Sequence, residues 1–91
     1  MQALECRNPV LETLEKLDVR ARELSLMTGT DSAQVYRVLQ GRAKHIPPSI
    51  LSVLSELGED TDELIGKYNE YREERQHELL ESVKQRVGGD R

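Results

Sequence analysis

No tryptophan or phenylalanine occurs in this 91-residue chain, and three tyrosines are its only aromatic residues. A β-sandwich draws on aromatic and β-branched side chains to fill its two inner faces, so the lack counts against one. Leucine, valine and isoleucine are left to build the core, and the expected class is all-α. A single cysteine, Cys6, excludes an internal disulfide and reads as an idle or buried thiol. The opening "MQALECRNPV" has neither a basic start nor an apolar stretch of signal-peptide length. Nowhere do the roughly 20 consecutive apolar residues of a membrane span occur. A cytoplasmic protein without membrane contact is therefore expected.

Other absences narrow the chemistry. His45 and His77 lie far apart with no cysteine beside them, so no metal site is expected. There is no glycine-rich phosphate loop and no nucleophile with a recognisable base, so neither a cofactor nor a catalytic residue is assigned. A chain of this length closes one modest core. Its net charge of −4 argues at first against a polyanionic partner. The charge is unevenly spread, however. Residues 1–48 hold seven Lys or Arg against six acids, whereas residues 49–91 hold six against eleven. A nucleic acid would have to meet the first half.

Caps and periodicity divide the chain into five helices. Asn8 followed by Pro9 marks a helix start, with Val10, Leu11, Leu14 and Leu17 on one face. Asp18 is expected to cap a second helix anchored by Val19, Leu24 and Met27 and stopped by Gly29. Thr30 or Asp31 caps a third, which Gly41 ends. After the basic loop "RAKHIPP", a fourth helix buries Ile50, Leu51, Leu54 and Leu57, and Gly58 stops it. Acids at 60, 62 and 63 open a last helix reaching to about Val87, with an apolar patch of Leu64, Ile65, Tyr68 and Tyr71. Gly66 is a point where that helix could kink or break, at a cost of about 1 kcal/mol against alanine. Beyond "REERQHE" a second patch, Leu79, Leu80, Val83 and Val87, is more than so small a domain can cover. It is assigned to a dimer or partner contact.

The second and third helices carry more information together than apart. A steep crossing at a glycine turn requires Leu24 to point inward, a small residue after it and Val35 and Val38 to pack back, and Ser25 fills the small position. With Leu24, Ser25, Gly29, Val35, Val38 and Gly41 in place, "LSLMTGTDSAQVYRVLQGR" resembles the helix-turn-helix of the Cro/repressor-type, XRE-like family of DNA-binding domains. Thr28 and Thr30 depart from it, standing where the family usually has aliphatic residues. The resemblance implies a five-helix, lambda-repressor-like helix-turn-helix domain over residues 1–65, with residues 66–91 as a helical extension.

It further implies a transcriptional regulator, a repressor or autoregulator, whose third helix enters the major groove of double-stranded DNA. Ser32, Ala33, Gln34, Tyr36 and Arg37 would face the bases, with Arg37 suited to a bidentate guanine contact. Arg20, Arg42, Lys44 and His45 would meet phosphates. Such a protein is expected to be a homodimer on an inverted-repeat operator. The alternative is a protein-interaction module, for instance an antitoxin whose last helix captures a partner protein. A third reading is an RNA-binding or virus-encoded inhibitor that turns the Arg37 face to another macromolecule.

Overall fold

The computed structural model describes residues 7–89, so Cys6 lies outside the described residues. Those residues form five helices and no strand: α1 (Pro9–Leu17), α2 (Ala21–Thr28), α3 (Ser32–Leu39), α4 (Pro48–Glu56) and α5 (Thr61–Gly89). No helix is long and apolar enough to cross a membrane, and no cluster of metal-ligating side chains occurs among the described residues.

One core joins all five helices. Val10 and Leu14 of α1, Leu24 of α2, Val35 and Val38 of α3, Ile50 and Leu54 of α4, and Leu64 and Tyr68 of α5 are buried together, with Ile46 from the loop before α4. Most of the apolar spacings read from the sequence supply this core. Three side chains assigned to it do not reach it. Met27 is 49% exposed because the buried stripe of α2 runs through Ala21, Leu24, Ser25 and Thr28, leaving Met27 on its flank. Leu57 is exposed because α4 ends at Glu56, so the stripe has no further turn to carry it inward. Ile65 stands one residue off the line of Leu64, Tyr68 and Tyr71 and is turned outward.

The expected cap of α2 is also different. Asp18 ends α1 in the left-handed conformation (φ 57°), and the N–H of Val19 after it bonds the Leu14 carbonyl at 2.9 Å. It does the work glycine does elsewhere, which a short polar side chain tolerates. Arg20 becomes the N-cap of α2, its backbone N–H bonding Glu23 Oε1 at 2.9 Å. Glycine is present where α3 ends. Gly41 has φ 74°, its N–H bonds the Val38 carbonyl, and the N–H of Arg42 bonds the Arg37 carbonyl at 2.8 Å, a Schellman closure.

α5 is unbroken through Gly66. At about 1.5 Å per residue it measures about 43 Å and accounts for the 52 Å long axis of a molecule only 23 by 21 Å across. The boundary expected between residues 65 and 66 falls inside this helix. Tyr68 and Tyr71 beyond it are buried, and residues 73–88 stand clear of the body.

Candidate functional site

The unit read from the sequence is α2, three linking residues and α3. Leu24, Val35 and Val38 are fully buried between the two helices and the rest of the core. Gly29 has φ 70° and donates to the Ser25 carbonyl at 3.0 Å, with open space where a Cβ would lie. Its conformation, not crowding, requires glycine. Ser25 does more than stay small, since its hydroxyl donates to the Thr30 carbonyl at 2.6 Å.

The two threonines beside the glycine hold the turn by hydrogen bonds where aliphatic residues would hold it by packing. Thr28 Oγ1 donates to the Leu24 carbonyl at 2.7 Å and accepts the N–H of Thr30 at 3.1 Å. Thr30 Oγ1 and Ser49 Oγ lie 2.7 Å apart, tying the turn to α4. Asp31 caps α3 through the N–H of Ala33 at 3.1 Å.

With Val35 and Val38 turned inward, Ser32, Ala33, Gln34, Tyr36 and Arg37 are all exposed on α3. Ala33 and Arg37, four residues apart, lie opposite the buried stripe. Gln40, exposed and one turn beyond Tyr36 and Arg37, belongs to the same face although the sequence reading left it out. Its spacing was the available signal. Arg42, Lys44 and His45 are exposed in the loop that follows, and Arg20 is exposed at the start of α2.

The cations of these two regions differ from several others in the chain. Arg7 bonds Glu15 at 2.9 Å, Lys16 bonds Glu59 at 2.9 Å, and Lys67 and Lys84 lie near Glu63 and Glu81 at 3.9 and 3.7 Å. The side chains of Arg20, Arg37, Arg42, Lys44 and His45 have no carboxylate partner among the described residues. The four charges of Arg20, Arg37, Arg42 and Lys44, and the His45 ring, are offered to solvent.

What holds this face in place comes from both ends of the chain. Asn8 is buried; its Oδ1 accepts the N–H groups of Val10 and Leu11, and its Nδ2 donates to the carbonyls of Val38 and Leu39 at 2.8 and 2.9 Å. On the other side, Tyr68 donates its hydroxyl to the Ala43 carbonyl at 2.7 Å, and Arg72 donates Nε to the Gly41 carbonyl at 3.2 Å. Tyr71 closes on Gly41 so tightly that a Cβ there would lie 2.5 Å from its ring. Tyr68, Tyr71 and Arg72 thus clasp the loop bearing Arg42, Lys44 and His45. Burial raises the Tyr68 phenol above its usual value, against the opposing pull of the Arg72 guanidinium, with a smaller raising effect of Tyr71.

The sequence shows Asn8 only as a cap of its own helix, and Arg72 only as part of the "REERQHE" run between two apolar patches. Neither link leaves a local pattern, because the partners lie about thirty residues away. No family model matches the chain, and no curated protein or solved structure does either.

Proposed function

We propose that the chain is a sequence-specific DNA-binding transcriptional regulator, a repressor or autoregulator, that acts without a catalytic step. The observation that carries this is the outward face of α3: Ser32, Ala33, Gln34, Tyr36 and Arg37 exposed together, flanked by Arg20, Arg42, Lys44 and His45, whose side chains have no carboxylate partner among the described residues. It supports a helix-turn-helix built from α2 and α3, in which α3 enters the major groove and its exposed side chains meet base edges. Arg37 contacts guanine O6 and N7, and Ala33, having no donor, touches only a thymine methyl. The flanking cations bind phosphates, setting register and orientation. A homodimer, joined through Leu79, Leu80, Val83 and Val87, places two such helices on an inverted-repeat operator.

Selection of bound sequences from a random double-stranded DNA pool, followed by a salt titration of the winner, tests this. A palindromic consensus is expected. Binding with a steep salt slope but no consensus would reduce the role to non-specific or RNA binding. A second reading is favoured by the exposed stripe on α5 and the acidic second half of the chain: an interaction module, such as an antitoxin, holding a different and basic protein. Absence of DNA binding of any kind would favour it.

A further inference from the structure

The end of α5 projects from the body with an apolar stripe that no other described residue covers. Leu79, Leu80, Val83 and Val87 are 56, 53, 41 and 56% exposed. Residues 73–88 are exposed throughout, a length of about 24 Å, or more than four turns. Leu80, Val83 and Val87 are spaced three and four apart, the alternation that keeps a seam on one side of a helix. At 3.6 residues per turn, this stripe lies about a third of a turn from the face on which Leu64, Tyr68 and Tyr71 pack. An occupant therefore lies alongside the projecting helix and not against the body.

We infer that this occupant is the same segment of a second copy of the chain, running antiparallel. The charges of the segment carry the orientation. Its first half, residues 73–80, holds Glu73, Glu74 and Glu78 against Arg75, a net −2, while its second half, residues 81–88, holds Lys84 and Arg86 against Glu81, a net +1. Antiparallel pairing sets the acidic half of each helix against the basic half of the other. Parallel pairing sets acid against acid along the same length, which destabilises. The segment thus carries its own complement, and the resulting contact is a closed two-fold one that leaves no stripe open for a third copy.

Four half-exposed side chains fall well below the roughly 800 Å² per partner of a standard stable interface. Self-association is accordingly weak in free solution and is strengthened when one DNA molecule holds both copies, by raising their effective concentration. This inference deepens the homodimer proposed above and rests on that reading only for its biological use.

The test is made without DNA, so that a failure of operator selection and a failure of self-pairing are read separately. Sedimentation equilibrium of the full chain, from low micromolar to several hundred micromolar, is expected to show the mass rising from 10.4 kDa toward twice that value. Leu80→Glu with Val83→Glu abolishes the rise while circular dichroism keeps the helix content. Lys84→Glu with Arg86→Glu weakens it without touching the apolar stripe. Orientation is read in a Cys6→Ser background by mixing chains carrying Gln76→Cys with chains carrying Gly88→Cys and adding a short thiol cross-linker. Unlike chains join if the pairing is antiparallel. A constant monomer mass at every concentration, a dimer indifferent to both pairs of substitutions, or cross-links only between like chains would each overturn the proposal.

Discussion

Asn8 Nδ2 donates to the Val38 carbonyl at 2.8 Å across thirty residues of chain, and the same side chain caps α1 through Oδ1. One buried amide thereby satisfies free N–H groups at the start of α1 and bonds two carbonyls at the end of α3, using donors and acceptor that only asparagine or glutamine combines. It anchors the end of the helix proposed to read DNA.

Replacing this amide is expected to be costly. Asn8→Ala removes the cap, takes the donor from the Leu39 carbonyl and leaves the Val38 carbonyl with the Gly41 N–H alone of the two bonds at its end of α3, for a loss of about 2–3 kcal/mol. Asn8→Asp retains the cap acceptor but turns a carboxylate toward two carbonyl oxygens, and should recover part of its deficit as acid protonates it. Urea midpoints of the two variants at neutral and acid pH check both statements. If Asn8→Ala were neutral, Asn8 would not hold α1 and α3 together.

Two glycines should respond in opposite directions. Gly41→Ala combines a left-handed backbone with a Cβ driven into the Tyr71 ring, and is expected to cost about 2–3 kcal/mol. Gly66→Ala meets nothing within 4 Å in the middle of a continuous helix, and should stabilise by about 1 kcal/mol. Thermal melts of both, compared with the unsubstituted chain, decide it. A lower melting temperature for Gly66→Ala would place a bend in α5 at that residue.

Stability should fall on the alkaline side through Tyr68. Burial raises its phenol in the folded chain, so below about pH 10 both folded and unfolded chains keep the proton and the full contribution is present. Above that, the unfolded chain releases its proton first, and stability is lost as the pH climbs toward the folded value. Tyr68→Phe should flatten this alkaline loss while lowering stability at every pH, because the bond to the Ala43 carbonyl is gone. Denaturant midpoints followed from neutral to alkaline pH provide the comparison, and identical slopes for the two proteins would contradict it.

Base and phosphate contacts predict different patterns of loss. Arg37→Ala should relax preference at one base pair of the selected operator and cost about 1–3 kcal/mol there. Lys44→Ala should weaken all sequences alike and reduce the salt slope by about 1. Competition binding on singly substituted operators distinguishes them. Equal losses across every sequence for Arg37→Ala would move that residue to the phosphates.

Much of the architecture is legible in the sequence. The five helices, their glycine stops at 29, 41 and 58, and the buried positions Leu24, Val35, Val38, Ile50 and Leu54 follow from caps and apolar spacing. Those signals are local and span one or two helical turns. Where a signal serves two outcomes, local spacing does not choose between them. Asp18 suited the start of α2 as well as the end of α1, and only the left-handed closure onto Leu14 decided between them. Met27 and Ile65 had helical spacing to core residues, but lay on the flank of the stripe that tertiary packing selected.

The candidate face shows the same division. Its residue types, an arginine and neutral polar side chains on one side of α3 and a basic loop after it, stand in the sequence because side-chain direction in a helix is set by its period. What holds that face depended on contacts between distant segments. Asn8 reaches α3 from one side, while Tyr68, Tyr71 and Arg72 reach the loop from the other. Sequence by itself therefore determined which helices form and which sides are apolar, since both depend on neighbours three or four residues away. Only the tertiary structure decided that α5 runs straight through Gly66, clasps the loop with its middle and leaves Leu79, Leu80, Val83 and Val87 in solvent. Those outcomes depend on how much surface the assembled body can cover, a quantity that no single segment contains.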